Sequence, residues 1–142
     1  IALNAISPSA TTTEKLDFYQ QTGSNYSGGW IDGTTNGEVQ EPVDVVLAAD
    51  MICQPADAVA AANSIYDALK PSIGRAYVVC ADSKHRFGVD RFERECRRVG
   101  LVVETQRDIA KLYNGRLVDE NIHKTTGYVN GMDLTMFTIQ KR

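Results

Sequence analysis

A carboxylate and a thiol stand just beyond the most apolar segment of the chain. Asp50 and Cys53 follow the run VDVVLAA, residues 43–49, whose continuous β-branched composition predicts a parallel strand covered on both faces. Ligands of open α/β sheets bind beyond the carboxyl ends of such strands. There the carboxylate of Asp50 can accept hydrogen bonds from an amine, and the small side chains of Ala48 and Ala49 let a ligand approach the backbone. These residues form a candidate binding rim.

The rim residues also have ordinary structural interpretations. An aspartate between a strand and a helix is often only an N-cap, which is the alternative for Asp50. Cys53 can be a buried, inert thiol, because the sequence places neither His85 nor His123 where it would activate a cysteine nucleophile.

More polar side chains follow a second predicted strand. His85 and Arg86 come shortly after RAYVVCA, residues 75–81, so they share the rim and can contact a substrate. The alternative for both is a solvated basic loop. Tyr128 lies in a polar segment, residues 119–133, that can form a substrate-facing lip, although long loops of similar composition also occur without a function.

Two helices are predicted between the strands. The first begins at Pro55, which suits a first helical position, and runs to about Leu69. Its apolar stripe consists of Val59, Ala62, Tyr66 and Leu69. The second helix ends at Gly100, and its stripe consists of Val89, Phe92, Cys96 and Val99.

The whole order is β-α-β-α-β-loop-β. The four strands are predicted at residues 43–49, 75–81, 101–105 and 134–140. Helical crossovers join parallel strands, so the first three strands should be parallel neighbours, and the last, reached through a long irregular segment, can run antiparallel. Residues 1–42, rich in Ser, Thr, Gly, Asn and Gln, predict a polar, loop-rich lead-in with at most one short strand near Trp30, and residues 43–142 predict the α/β domain.

Composition excludes several classes of protein. The chain has 142 residues, 23% of them charged, and no apolar run near the ~20 residues that a membrane helix needs. A net charge of −3 makes nucleic acid an unfavoured partner, despite a local basic cluster that includes His85 and Arg86. The odd number of cysteines, in apolar contexts, predicts reduced core thiols and a cytoplasmic or nuclear location: Cys53, Cys80 and Cys96.

Three segments resemble one family of enzymes. VDVVLAAD at residues 43–50, ALKPSIGRAYVVCA at 68–81 and RFERECRRVGLVVE at 91–104 are similar to the second half of class I, seven-stranded, S-adenosylmethionine-dependent methyltransferases. Within that family they most resemble the lysine-methyltransferase-like group, which has a tryptophan ahead of its fourth strand, as Trp30 is here. The resemblance implies the C-terminal half of a Rossmann-like α/β sheet, mostly parallel, with a final antiparallel strand between the family's fifth and sixth strands.

The resemblance also implies roles at the rim. S-adenosylmethionine would be the cofactor, bordered by Trp30, Ala48, Ala49 and Asp50, with Trp30 near the adenine and Asp50 as the catalytic residue that orients an amine toward the methyl group. The substrate-binding residues would be Cys53, His85, Arg86 and Tyr128. The implied acceptor is a protein lysine, but the chain reads D-M-I-C from Asp50 where the group has D-x-x-Y.

One part of the family's cofactor site is missing from the sequence. The family has a glycine-rich turn after its first strand, followed by an acidic residue for the ribose. The glycines between residues 28 and 37 have no apolar strand before them and no amphipathic helix after them. We therefore expect a part of a longer enzyme that is inactive alone. The strand at 43–49 would then leave an apolar edge unpaired, which predicts self-association.

Two other interpretations stay open. A non-catalytic methyltransferase-like scaffold or protein-interaction domain needs no glycine-rich loop. A nucleotide-binding half of a dehydrogenase is less favoured, because its dinucleotide fingerprint is also absent from the sequence. The reading frame upstream of Ile1 separates enzyme from scaffold: a glycine-rich strand-to-helix turn with a following acidic residue favours the enzyme.

Overall fold

The computed structural model describes residues 15–17, 29–31, 41–82, 86–107, 109 and 133–142. Its elements, in chain order, are β1 Lys15–Asp17, β2 Gly29–Ile31, β3 Val45–Ala49, α1 Pro55–Ala68, β4 Arg75–Asp82, α2 Val89–Arg98, β5 Leu101–Gln106 and β6 Asp133–Lys141. The predicted alternation of strands and helices after residue 42 is confirmed.

Strands β3 to β6 form one mixed sheet in the order β3-β4-β6-β5. β3 runs parallel to β4, with Val45 opposite Arg75 and Ala49 opposite Val79. β6 is antiparallel to both β4 and β5. The α/β class, the antiparallel last strand and its place between two parallel strands are confirmed. The prediction that the first three strands are direct neighbours is wrong for β5, because a crossover helix fixes a strand's direction but does not prevent another strand from entering between.

The described residues of the lead-in segment form two short strands, whereas the sequence predicts at most one. β1 and β2 pair antiparallel, with Leu16 opposite Trp30. Strands of three residues are too short to show an alternating pattern, so the polar composition of residues 1–42 concealed the pair.

Helix α1 begins where its sequence predicts. Pro55 occupies the first turn after the N-cap residue Gln54, and Asp57 Oδ2 accepts hydrogen bonds from the backbone N–H groups of Cys53 at 2.9 Å and Gln54 at 2.7 Å. The predicted apolar stripe is wrong at two positions, because Val59 is only half-buried and Tyr66 is exposed. Small residues make up most of the buried face, so hydrophobicity did not mark it: Ala58, Ala60, Ala61, Ala62, Ser64, Ile65 and Ala68.

Helix α2 buries the stripe that its sequence predicts. Val89, Phe92 and Cys96 are buried, and Val99 packs against the same core. The ring of Phe92 meets Phe137 of β6 edge-on, with centroids 5.1 Å apart. Gly100 follows the helix in the left-handed region at φ 94°, where a residue without a Cβ ends a helix at little strain.

The core lies on one face of the sheet. Alternate residues of the strands join α1 and α2 there, with Ala76, Val78 and Cys80 from β4 and Phe137 and Ile139 from β6. Both crossovers run in the same direction along the sheet, and their usual right-handedness puts both helices on the same side.

The opposite face of β3 is open among the described residues. Val45 is 54% exposed and Leu47 is 76% exposed, while Val46 and Ala48 pack inward. The prediction that this strand is covered on both faces is therefore wrong for the part of the chain that the structure describes. A continuous apolar run does not reveal whether one or two layers cover it.

Neither described helix is long and apolar enough to cross a membrane. The cysteine prediction is confirmed for Cys80 and Cys96, which are free and buried, and it is wrong for Cys53, which is free but exposed.

Candidate functional site

The candidate site lies where β3 ends. Asp50 follows the last strand residue and adopts φ 54°, a left-handed conformation that is uncommon for residues other than glycine but tolerated by aspartate. Its backbone N–H donates to the carbonyl of Val79 at 2.7 Å, which extends the pairing of β3 and β4 by one bond. The N-cap of α1 is Gln54, so the N-cap alternative for Asp50 is wrong.

Arg86 brings three of the predicted rim residues together. Its Nη2 lies 2.6 Å from Asp50 Oδ2, and its Nη1 donates to the backbone carbonyl of Asp50 at 3.3 Å. The same Nη1 lies 3.5 Å from the Cys53 sulfur. The Arg86 side chain is 24% exposed and that of Asp50 is 51% exposed, so the pair stands at the surface.

Close backbone packing holds Arg86 in position. Gly88 approaches the loop after β3 so closely that a Cβ there would overlap the carbonyl oxygen of Gln54 and lie 2.7 Å from a methyl group of Ile52. Ile52 is fully buried and anchors that loop in the core. The loop that precedes α2 is therefore interlocked with the loop that precedes α1.

An open apolar depression adjoins Asp50 on the uncovered face. It has a volume of about 310 Å³ and is lined by Leu47, Ala48, Ala49, Tyr77 and Val79. Ala49 is exposed, whereas Ala48 packs against the core and only borders the depression. Contact of either alanine with a cofactor stays a prediction. Sequence reasoning missed Leu47, Tyr77 and Val79, although they share the outward phase of their strands with Ala49.

Two buried thiols lie in the core, and one of them, Cys80, is close enough to the rim to interact with Asp50 and Arg86. Burial is the largest of the causes that together raise the pKa of Cys80 to about 11; the charge of Asp50 and the neighbouring Cys53 add to the rise, and the positive charge of Arg86 opposes it. Burial likewise raises the pKa of Cys96 to about 12, with Glu95 and Glu93 adding to the shift. Both thiols stay protonated at neutral pH, so Cys53 is the thiol that the structure exposes to reagents or ligands.

The other predicted site residues are not placed at the rim by the structure. His85 and Tyr128 lie outside the described residues. Trp30 lies in β2 opposite Leu16, and its position near an adenine stays a prediction. In the part of the chain that the structure describes, no group of three or more His, Cys, Asp or Glu side chains is arranged to hold a metal ion.

Comparison with known proteins leaves the family unassigned. No family model and no curated protein matches the sequence. Among solved structures, the chain is similar to phosphoethanolamine N-methyltransferase 2 of Haemonchus contortus in complex with phosphomonomethylethanolamine and S-adenosylhomocysteine, at 12% identity and a TM-score of 0.42. The match covers 69% of this chain and 33% of that one, so the chain corresponds to about a third of that protein's length.

Proposed function

We propose that the chain is part of an S-adenosylmethionine-dependent methyltransferase. The observation that supports this best is the sheet order β3-β4-β6-β5, in which an antiparallel last strand lies between two parallel strands. The resemblance of three sequence segments to the family implies the same order. Because one fold serves many functions, the proposal also depends on what the rim can bind.

The rim suits parts of the proposed cofactor. S-adenosylmethionine combines a flat apolar ring with hydroxyl and ammonium donors, and when bound it supplies an activated methyl group. The depression offers an apolar wall that includes Tyr77 and Val79, and its volume of about 310 Å³ is at the lower end of the ~300–1,000 Å³ of small-molecule sites. The carboxylate of Asp50 can accept hydrogen bonds from these hydroxyl and ammonium groups. The small side chain of Ala49 leaves room for the cofactor beside Asp50. Trp30 and Ala48 are proposed to complete this contact.

The proposed acceptor is an amine of a protein lysine. Asp50 would orient the amine, and Cys53, His85 and Tyr128 would contact the substrate around it. Orientation is the main requirement of an in-line displacement and can contribute roughly 7 to 11 kcal/mol. The pairing of Asp50 with Arg86 leaves this part of the rim close to neutral, which suits an uncharged amine better than an ammonium group.

A non-catalytic scaffold is the second candidate. The Asp50–Arg86 ion pair balances the two charges without any ligand, and the apolar face around Leu47 suits a protein contact as well as a small molecule. Binding of the cofactor therefore separates the two candidates.

The test is calorimetric titration of S-adenosylmethionine into the chain and into the product of the complete reading frame that encodes it. We expect binding to the longer protein and not to the chain alone, and at least tenfold weaker binding, about 1.4 kcal/mol, after Asp50→Ala. Asp44→Ala is the matched control, because Asp44 stands before the opposite end of β3 and pairs with Lys70.

Each result has a clear meaning. Binding to neither protein would favour the scaffold. Binding to both would show that the chain needs no upstream glycine-rich loop. Equal affinities of the Asp50 and Asp44 variants would remove Asp50 from the site.

A further inference from the structure

Arg86 holds both the backbone and the side chain of Asp50. It is 36 positions away in sequence, yet Nη1 reaches the Asp50 carbonyl oxygen at 3.3 Å and Nη2 reaches Oδ2 at 2.6 Å. A guanidinium presents its donors in a fixed planar fork, so two bonds to one residue fix that residue's orientation. Asp50 needs such a restraint, because its φ of 54° is a conformation that few side chains favour.

The restraint leaves one carboxylate oxygen for other donors. Oδ2 is engaged by Arg86, while Oδ1 has no hydrogen-bond partner among the residues that the structure describes. The Asp50 side chain is half exposed, whereas only 24% of the Arg86 side chain is exposed. Asp50 is therefore the more accessible partner of the pair to a ligand.

The backbone two residues after Arg86 is closely packed. Gly88 packs against the backbone of Gln54 and the side chain of Ile52, and Arg86 Nη1 also contacts the Cys53 sulfur. A solvated basic loop would show none of these restraints. The arginine is thus built into the same unit as the carboxylate that it contacts.

We propose that Arg86 is a positioning residue, which acts on a ligand through Asp50 rather than by direct contact. It keeps Asp50 in the left-handed conformation, neutralises Oδ2 and presents Oδ1 to a hydrogen-bond donor of the ligand. The inference rests on the proposed function for the identity of that ligand, S-adenosylmethionine or an acceptor amine. It differs from the expected substrate contact of Arg86 in making the arginine's effect dependent on Asp50.

A double-mutant cycle tests the contact itself without any ligand. The variants are Arg86→Met, Asp50→Asn and their combination, each measured by urea unfolding of the chain. We expect a coupling of roughly fivefold in the unfolding equilibrium constant, because each single change leaves its partner unpaired. Arg94→Met is the control, since Arg94 is exposed on α2 and pairs with Glu95, and it should show no coupling to Asp50. A coupling below about twofold, the level of independent sites, would overturn the inference.

The same variants, made in whichever protein binds S-adenosylmethionine, test how Arg86 acts. We expect Arg86→Met to weaken binding about tenfold when Asp50 is present and less than about twofold in the Asp50→Asn background. Arg86→Lys should restore part of the affinity, since an ammonium can replace one of the two bonds. Equal losses in both backgrounds would mean direct contact with the ligand and would overturn the positioning role. If the wild-type protein binds no S-adenosylmethionine, the proposed function fails, and the unfolding cycle alone decides whether Arg86 positions Asp50.

Discussion

Asp50 and Gly88 show how single residues shape the rim. A left-handed conformation costs a non-glycine residue roughly 1–2 kcal/mol, and at Asp50 it is held by bonds to Val79 and Arg86. Gly88 provides the opposite device, the absence of a side chain, which lets the two loops of the rim touch. Arg86, which holds Asp50, and Gly88, which permits the contact between the loops, are only two positions apart in sequence.

Gly88→Ala tests the close approach. The new methyl group would overlap the carbonyl of Gln54, the N-cap residue of α1, and crowd the buried side chain of Ile52. Neither can move easily, so we expect a loss of roughly 1–3 kcal/mol in the free energy of unfolding. Chemical denaturation measures it.

Gly100→Ala is the comparison for this variant. Its Cβ would meet nothing closer than 3.8 Å, so any loss there reflects backbone strain at φ 94° and should leave the Asp50–Arg86 coupling intact. A loss below about 0.5 kcal/mol for Gly88→Ala, the range of ordinary surface changes, would contradict the packing argument.

At the scale of elements, helix α2 contains a charged cluster around a buried carboxylate. Glu95 has only 7% of its side chain exposed, and its Oε2 accepts from Arg98 Nε at 2.6 Å. Arg91 and Arg94 each lie 3.6 Å from the other oxygen. The Arg98 hydrogen bond lowers the pKa of Glu95 most, partial desolvation opposes it, and the nearby arginine charges add to the lowering.

The cluster predicts a loss of stability in acid. A carboxyl whose pKa is lowered by folding contributes stability that is complete above its ordinary pKa of 4.5 and is lost as the pH falls below that value. Glu95→Gln should remove roughly 1 kcal/mol at neutral pH and make the decline below about pH 4.5 shallower. Urea unfolding over a series of pH values measures both effects.

Asp67→Asn is the control with the opposite sign. Partial desolvation raises the pKa of Asp67, and the charge of Lys141 only opposes this. The stability that protonated Asp67 contributes is therefore lost as the pH rises through and above 3.8. In the Asp67→Asn variant, the free energy of unfolding should fall less over this rise in pH. If the free energy of unfolding of Glu95→Gln falls below pH 4.5 as steeply as that of the wild type, the cluster does not govern the loss of stability in acid.

At the scale of the whole molecule, the described residues leave the sheet with an open edge and an open face at β3. β3 is the terminal strand of the described sheet, and its five residues include no charge, proline or bulge of the kind that protects edges. Two copies that pair antiparallel with Leu47 opposite its symmetry mate would satisfy both edges around a two-fold axis. Self-association through this edge is our proposal for the chain.

Light scattering on Leu47→Lys tests the proposal. We expect the wild-type chain to be a dimer and the variant to be a monomer, because a charge at the centre of the edge opposes pairing with its own copy. Val102→Lys is the matched control, because Val102 is an exposed residue of β5 at the opposite edge, and that variant should stay dimeric. A monomeric wild-type chain would refute the proposal.

Local pattern was enough to predict most elements. The stripe of α2, the start of α1 at Pro55 and the four main strands follow from periodicity and from the properties of proline and glycine, which act over a few residues. The rim position of Asp50 also follows, since an aspartate directly after a strand lies at its carboxyl end. The buried face of α1 did not follow, because alanine is too weakly apolar to mark it.

The tertiary structure decided the rest. The insertion of β6 between β4 and β5, the single covered face of β3 and the pairing of Arg86 with Asp50 join residues far apart in the chain. Sequence periodicity records which side of an element is apolar, but not which distant segment covers that side. The sequence by itself therefore determined the elements and the candidate carboxylate, while only the packing of the two loops determined what holds that carboxylate in place.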